Sequence, residues 1–465
     1  MFASSKRGVL TLSAVGALVL VSATLVGVPG GASTSSNTLT YTVHPFAVQA
    51  TSSMSAAAMT PGYCVRNYGL ACYTPQVFHT AYQIPWTVNG QPAGTGQQIA
   101  IIDAYGSPTV QSDLNTFDAA FGLPATTVNV YYPGGSPTVN PLKNAIQASW
   151  AEETSLDVQS AHALAPGATI NLIVAASPAG NVLNNAQNFV LANHLGDVMS
   201  MSYGSPEAAI AGGGNNLQVN QADATFRQAA AAGISVLASS GDAGASNGYS
   251  IANASFPASD PFVTSVGGTN LFVKALSSPR STNYGYSSEF TWNDSDPSTC
   301  PFGCAFGVFG ATGGAPSSIF AAPAYQSALT GQSMRSISDV SFNASVYTAT
   351  LIYIGFLGGS NNGFYFFGGT SESAPSWAAI TADLNQARGS DLGQLNPRLY
   401  AIASSSAYSN DFHDVTVGND ALPYPSAPGF AAGAGYDLPT GLGTPIVTGL
   451  LTSLAPGAVY SLTQP

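Results

Sequence analysis

Charged side chains are scarce in this 465-residue sequence: Asp, Glu, Lys and Arg make up 7% of it, against about a quarter of an average soluble domain. Basic residues are scarcer still, with 10 Lys plus Arg against 22 Asp plus Glu and a net charge of -12. Nucleic acid is thereby excluded as a partner, because its binders need a basic face to neutralise phosphates. Histidine appears only five times, as His44, His79, His162, His194 and His413, and cysteine four times, as Cys64, Cys72, Cys300 and Cys304. The cysteines form two local pairs without the Cys-x-x-Cys spacing or nearby histidines of a structural zinc site, so disulfides are expected; three connectivities are open, and local pairing is the expectation. What the chain has in abundance is apolar residues, 45%, with 50 Gly and 30 Pro. An apolar content of that size excludes a disordered chain, and the length allows a large core without help from cross-links.

Few basic residues limit positive self-repulsion where carboxylates are protonated, so the composition suits an acid habitat; it suits Gly/Ser-rich secreted proteins in general equally well. Lys6 and Arg7 precede an uncharged stretch from Val9 to Val28, followed by the small residues Gly30, Gly31 and Ala32. This reads as a signal peptide over residues 1–32, with an uncleaved N-terminal anchor as the alternative. Either way the remainder is expected outside the cytoplasm, with no membrane contact unless the segment stays uncleaved. Residues 33–65, largely rich in Ser, Thr and Ala without sustained periodicity, are expected to be a linker or short pro-segment. Residues 66–465 are read as one catalytic-sized domain, expected to be a monomer.

Within it, short apolar runs bounded by Gly, Ser or Pro predict buried strands at Gln98 to Ile102, Thr169 to Val174, Val198 to Met201, Ser235 to Ala238 and Pro261 to Val266. Helical spacing separates them at Ala148 to Leu164, Val182 to His194 and Gln218 to Ala232. Such alternation predicts an α/β fold, a doubly wound and mainly parallel sheet flanked by helices, with functional loops at the strand ends.

Gly369-Thr-Ser-Glu-Ser-Ala-Pro375 runs into an apolar helical stretch through Leu384. Pro375 is expected in the helix's first turn, where a missing N–H is harmless. Ser371 then sits at a helix mouth, where free amides and the dipole favour a developing negative charge. It is either a helix cap or a nucleophile. A nucleophile needs a base, and Glu153 and Asp157 in the helix Ala148 to Leu164 supply a candidate. Four residues apart, they share one helix face; buried together, they hold protons jointly, so that Glu can serve as general base with Asp orienting it. Glu152 lacks such a partner, and the solvated-face alternative fits poorly with the apolar turn that follows, Ala161 to Ala168. His162 reads as a structural helix-end residue.

Taken together, these motifs resemble the sedolisins, or serine-carboxyl peptidases, acid peptidases of subtilisin-like fold, over roughly Thr74 to Leu454. Glu153-Thr-Ser-Leu-Asp157 is similar to the family's Glu-x-x-x-Asp pair, Gly369 to Pro375 to its serine motif, and Ser240-Gly-Asp-Ala-Gly244 to the segment whose aspartate completes the oxyanion hole. The resemblance implies an acid serine endopeptidase hydrolysing polypeptide substrates, with Ser371, Glu153 and Asp157 as its triad, Asp242 as the oxyanion donor, and Asp103 extending the carboxylate network. A carboxyl group donates a hydrogen bond only when protonated, which confines such a hole to acid. The family's Ser-Trp-Gly is Ser202-Tyr203-Gly204 here, and the usual long prodomain is replaced by about forty residues between the leader and the enzyme-like region. The resemblance also implies one structural Ca2+ in a C-terminal loop region, held by the carboxylates of Asp414 and Asp437 and the backbone carbonyls of Val415, Gly433 and Gly435, completed by water.

Two rival expectations stand beside this one. Gly244-Ala-Ser-Asn-Gly248 matches the Gly-x-Ser-x-Gly elbow of α/β-hydrolases, which makes Ser246 the nucleophile of an esterase; that elbow has to lead directly into a helix. The other is a calcium-stabilised surface module without catalysis.

Overall fold

The short apolar runs bounded by Gly, Ser and Pro pair as strands of one eight-stranded sheet in a computed structural model that describes residues 39–50, 59–213, 216–276, 284–299, 310–423 and 429–465. Its strands are β1 (Gln98–Ala104), β2 (Asn129–Tyr131), β3 (Thr169–Ala175), β4 (Val198–Met201), β5 (Ser235–Ser239), β6 (Thr264–Ala275), β7 (Tyr284–Thr291) and β8 (Val340–Asn343). Their spatial order is β7-β6-β5-β4-β1-β3-β2, with β8 also paired to β6. All pairings are parallel except β6 with β7. The α/β, mainly parallel expectation holds, and β6 begins three residues later than Pro261 because Asp260 caps a turn there, its carboxylate accepting the Phe262 N–H at 2.8 Å.

Helices α1 (Ala145–Leu164), α2 (Gly180–Asn193), α3 (Asn216–Ala231) and α4 (Thr370–Arg388) connect and cover the sheet. Asn144 caps α1, its side chain accepting the N–H groups of Ile146 and Gln147. From Glu153 to Leu164 every residue of α1 is buried, so this helix has no polar stripe to turn to solvent. It is enclosed by β1, α4 and the strand Thr348–Ile354. That strand belongs to a second, four-stranded sheet in the order Phe46–Gln49, Gly363–Gly368, Thr348–Ile354, Ala71–Tyr73. A disulfide between Cys64 and Cys72 ties the helix Pro61–Tyr68 to the last of these. The local pairing of Cys64 with Cys72 is therefore present, whereas Cys300 with Cys304 lies outside the described residues, as does the leader 1–32.

Part of the stretch expected to be a linker, 33–65, is built into the body. Leu39, Tyr41 and Val43 are buried in the core beneath the sheet, and Phe46–Gln49 is a sheet strand. Alternating apolar positions over 39–43 carry that burial, a signal too short to stand out among the flanking Ser and Thr. Among the described residues no helix is long and apolar enough to cross a membrane.

Candidate active site

Gly363–Gly368 leads straight into α4 through Gly369, whose φ of +118° is open to glycine and to few other residues. A Cβ there would also lie 2.8 Å from Asp242 Oδ2. This turn presents Ser371 as the second residue of α4. Pro375 is the sixth, not within the first turn as expected, and its missing N–H leaves the Ser371 carbonyl without a helical partner. Ser202, at the end of β4, supplies the substitute: its hydroxyl lies 3.1 Å from the Ser371 carbonyl oxygen, and the Ser371 hydroxyl is 3.5 Å from the Ser202 carbonyl.

Ser202 Oγ is also 2.7 Å from Asp157 Oδ1. A hydroxyl has one hydrogen, and both neighbours are acceptors when Asp157 is ionised. Both bonds form together only when Asp157 is protonated and donates to Ser202, which donates to Ser371. Burial pushes the Asp157 carboxyl well up, and the nearby charges of Asp103 and Glu153 push it further. Glu153 is raised by burial in the same way, with the Ser371 hydroxyl partly offsetting it. Asp103, the penultimate residue of β1, is raised to about 7 by burial. The Thr154 hydroxyl beside it gives its hydrogen to the Trp150 carbonyl at 2.9 Å, so both Asp103 oxygens stay unpartnered. Three fully buried carboxyl groups thus sit in mutual reach without a cation, and they share protons. The Ser202 relay requires a neutral Asp157, so of the pair Glu153 is the one free to ionise.

Asp242 approaches from the loop after β5. Its Oδ1 accepts the Thr370 N–H at 2.8 Å and the Thr370 hydroxyl at 2.7 Å, which leaves Oδ2 beside Gly369. Burial pushes Asp242 up to about 6, against the pull of the two Thr370 bonds. Glu152 is raised to about 7 by burial, and its charge acts on Tyr365 in the second sheet and, as the smallest contribution, on Glu153. Ser371, Glu153, Asp157, Asp103 and Asp242 are thus brought together in the fold. Ser202, Thr370 and Thr154 were missed; Ser202 stood in view within Ser202-Tyr203-Gly204 but was weighed only for its absent indole.

Four histidines stay clear of the cluster. His79 is held between the Ile84 and Ala163 carbonyls and stacks on Trp86, His162 faces Asp118 at 3.3 Å, His194 caps α2, and His413 stacks on Tyr286. Ser246 lies in a short 3-10 turn, Gly244–Ser246, with no helix after it, and its hydroxyl donates to the Ala243 carbonyl at 3.3 Å. The esterase elbow is therefore absent, because the Gly and Asn residues that follow adopt turns.

In the C-terminal region, pairing of Phe412–His413 with Thr444–Pro445 closes a loop that contains Asp414 and Asp437. Gly433 N–H donates to Asp437 Oδ2 and Gly435 N–H to Asp414 Oδ2, both at 2.9 Å, while the Thr440 N–H and hydroxyl hold Asp437 Oδ1. Asp437 is raised to about 6 by burial, with Asp414 adding to it. Val415 is buried between them in sequence. Among the described residues neither carboxylate has a Lys, Arg or His within salt-bridge distance. Two acids near enough for Asp414 to raise Asp437, with no cationic side chain beside them, are of the residue type a hard divalent cation takes.

Residues 144–408 match the subtilase family. Kumamolisin of Bacillus sp. is 35% identical over 407 residues, covering 84% of this chain and 65% of the relative; sedolisin of Pseudomonas sp. is 31% identical over 385 residues, covering 80% and 59%. Tripeptidyl-peptidase 1 of Mus musculus is 28% identical over 333 residues, 65% of this chain and 51% of that one. The chain therefore spans about two thirds or less of the length of these relatives. A solved Pseudomonas sedolisin, a serine-carboxyl proteinase complexed with pseudo-iodotyrostatin, superposes with a TM-score of 0.67 at 28% identity over 82% of this chain and 97% of that one. The chain belongs to the subtilase family, in its sedolisin branch.

Proposed function

We propose that this chain is a secreted serine-carboxyl endopeptidase working in acid on polypeptide substrates. The observation that carries the reading is the Ser202 relay, which couples a protonated Asp157 to the backbone of Ser371 inside a buried carboxyl cluster. Glu153 takes the Ser371 proton as the hydroxyl attacks the peptide carbonyl, Asp157 and Asp103 hold the remaining protons, and Asp242, neutral below about pH 6, donates from Oδ2 to the developing oxyanion. Collapse of the intermediate returns the proton from Glu153 to the departing amine, and water releases the acyl group from Ser371. The names of the relatives, kumamolisin, sedolisin and tripeptidyl-peptidase, support the same reading. The leader-like stretch after Lys6 and Arg7 and the Cys64–Cys72 disulfide support export.

Asp414 and Asp437, with backbone carbonyls from Val415, Gly433 and Gly435, are the residues that would hold one Ca2+. The ion would neutralise the opposed carboxylates and brace the loop, remote from the reacting atoms. The test of the function is digestion of denatured casein from pH 2 to 7 with mass spectrometry of the products: internal fragments formed in acid support an endopeptidase, and their absence at every pH contradicts it.

A further inference from the structure

Glu372 follows Ser371 on α4 and takes no part in the steps above. Its side chain is buried, with Oε2 3.5 Å from Asn343 Nδ2 and Oε1 without a partner. Among the described residues no Lys, Arg or His lies within salt-bridge distance of it, and burial pushes the carboxyl well above its ordinary value. Its charge would act on the phenol of Tyr73, which donates to the Leu271 carbonyl at 2.6 Å. Glu372 is therefore a neutral acid in acid solution, with a hydrogen to give and an oxygen free to accept.

Ser160 lies on α1, three residues past Asp157. Two other hydroxyls of that helix give their hydrogens to the carbonyl four residues earlier, Thr154 to Trp150 at 2.9 Å and Ser155 to Ala151 at 3.0 Å. Ser160 is buried and makes no such bond, so its hydroxyl has no partner. Ser160 and Glu372 line the same internal cavity of about 10 Å³, where α1 and α4 meet the helix Pro75–Ala81 and the strand Thr348–Ile354. Much of the remaining wall is apolar, formed by Phe78, Phe117, Leu164 and Ile352. That volume is near the least that holds one water, and an internal water needs about two to four polar neighbours. Glu372 Oε1 and Ser160 Oγ supply two. Ser376, also on the wall, gives its hydrogen to the Glu372 carbonyl at 2.8 Å and keeps lone pairs for a third.

We propose that Glu372 is a positioning residue: as a neutral acid it holds one water against Ser160 and so seats the helix of the nucleophile on the helix of its base. The inference rests on the peptidase reading. Asp157 and Ser160, three apart, share a face of α1, so this bridge stands beside the one that Ser202 makes between Asp157 and the Ser371 carbonyl. Together the two bridges set how Ser371 approaches Glu153, where a misplacement of about 1 Å costs about a hundredfold in rate. Both Glu372 and Ser160 are buried, so the bridge acts on the chemical step and not on substrate binding.

The test uses the full chain in acid, with kcat and KM measured on one peptide and a high-resolution crystal structure. The structure is expected to show one ordered water within hydrogen-bond reach of Glu372 and Ser160. Glu372→Met keeps the side chain's length and removes both oxygens; it is expected to lower kcat at least about tenfold with KM unchanged within about twofold. Glu372→Gln, which both donates and accepts, should restore kcat to within about threefold of wild type. Ser160→Ala should lose kcat as Glu372→Met does, and the double variant should lose no more than either alone, because each change removes the same bridge. Should Glu372→Met fail to fold, Ser160→Ala carries the comparison. A cavity without water, a lowered melting temperature with kcat unchanged in both single variants, or losses that add in the double variant overturns the role of Glu372 alone. A wild type without turnover at any pH overturns the peptidase reading and the positioning role with it.

Discussion

Replacing Asp242 by asparagine separates the proposed oxyanion donor from everything else that titrates. The Thr370 N–H and hydroxyl both donate to Oδ1, so the asparagine carbonyl has to occupy that position and its NH2 takes the place of Oδ2 beside Gly369. The variant thus presents a donor at every pH. In the wild type burial raises the group to about 6. A neutral acid is required, so the donor is fully present well below that value and is lost as pH rises through it, by about tenfold per unit; at pH 8 roughly 1% of molecules keep the donor. Asp242→Asn should retain part of the acid plateau and lose this alkaline limb, whereas Asp242→Ala should fall by about a hundredfold to a thousandfold throughout. The assay is kcat against pH on one peptide for the three proteins, with circular dichroism at each pH to show that all remain folded. An alkaline limb that stays in place in Asp242→Asn, or equal activity of Asn and Ala, refutes the protonated-donor argument.

Glu153→Gln should lower kcat by several orders of magnitude, because an amide cannot take the serine proton, whereas Asp157→Asn, whose NH2 can still donate to Ser202, should cost less, and Glu152→Gln should be nearly silent; a damaging Glu152 change in kcat would reverse the assignment. EDTA should lower the melting temperature, and Asp437→Ala should reproduce the loss and abolish the response to added Ca2+; equal melting curves in all cases would remove the ion. Asp383, buried in α4 with neither oxygen partnered, is raised well above its ordinary value by burial. Its contribution to stability is complete below about pH 4 and declines as pH rises, at about 1.4 kcal/mol per unit until the folded protein ionises. Asp383→Asn should therefore melt higher than wild type at pH 7 and at the same temperature at pH 3, checked by calorimetry.

The parallel sheet and the helix carrying Glu153 and Asp157 were legible because their signals are local: apolar runs of strand length, and two acids four apart in a stretch with no polar face. Ser371 was legible through its Gly-Thr-Ser context and the apolar helix after it. The position of Pro375 was not, because the start of α4 is set by the Gly369 turn and the exposed carbonyl is satisfied by Ser202, 169 residues away in sequence. Thr370 was unreadable for the same reason, its role arising only where the loop after β5 meets α4. Residues 39–50 look like linker because their few apolar positions are diluted by Thr and Ser, and their partners, Gly204 and Gly368, lie far along the chain. Asp414 and Asp437, read as a pair, lie in the loop closed by Phe412–His413 and Thr444–Pro445, near enough for Asp414 to raise Asp437.

The central claim is that Ser371 carries the acyl group, and acid-quenched turnover of a slowly cleaved peptide ester tests it most directly. Mass spectrometry of the digested enzyme should find the acyl mass on the peptide containing Ser371, accumulating below pH 6 and absent in Ser371→Ala. Turnover with the acyl group on another residue, Ser246 included, or turnover that survives Ser371→Ala, would contradict the account.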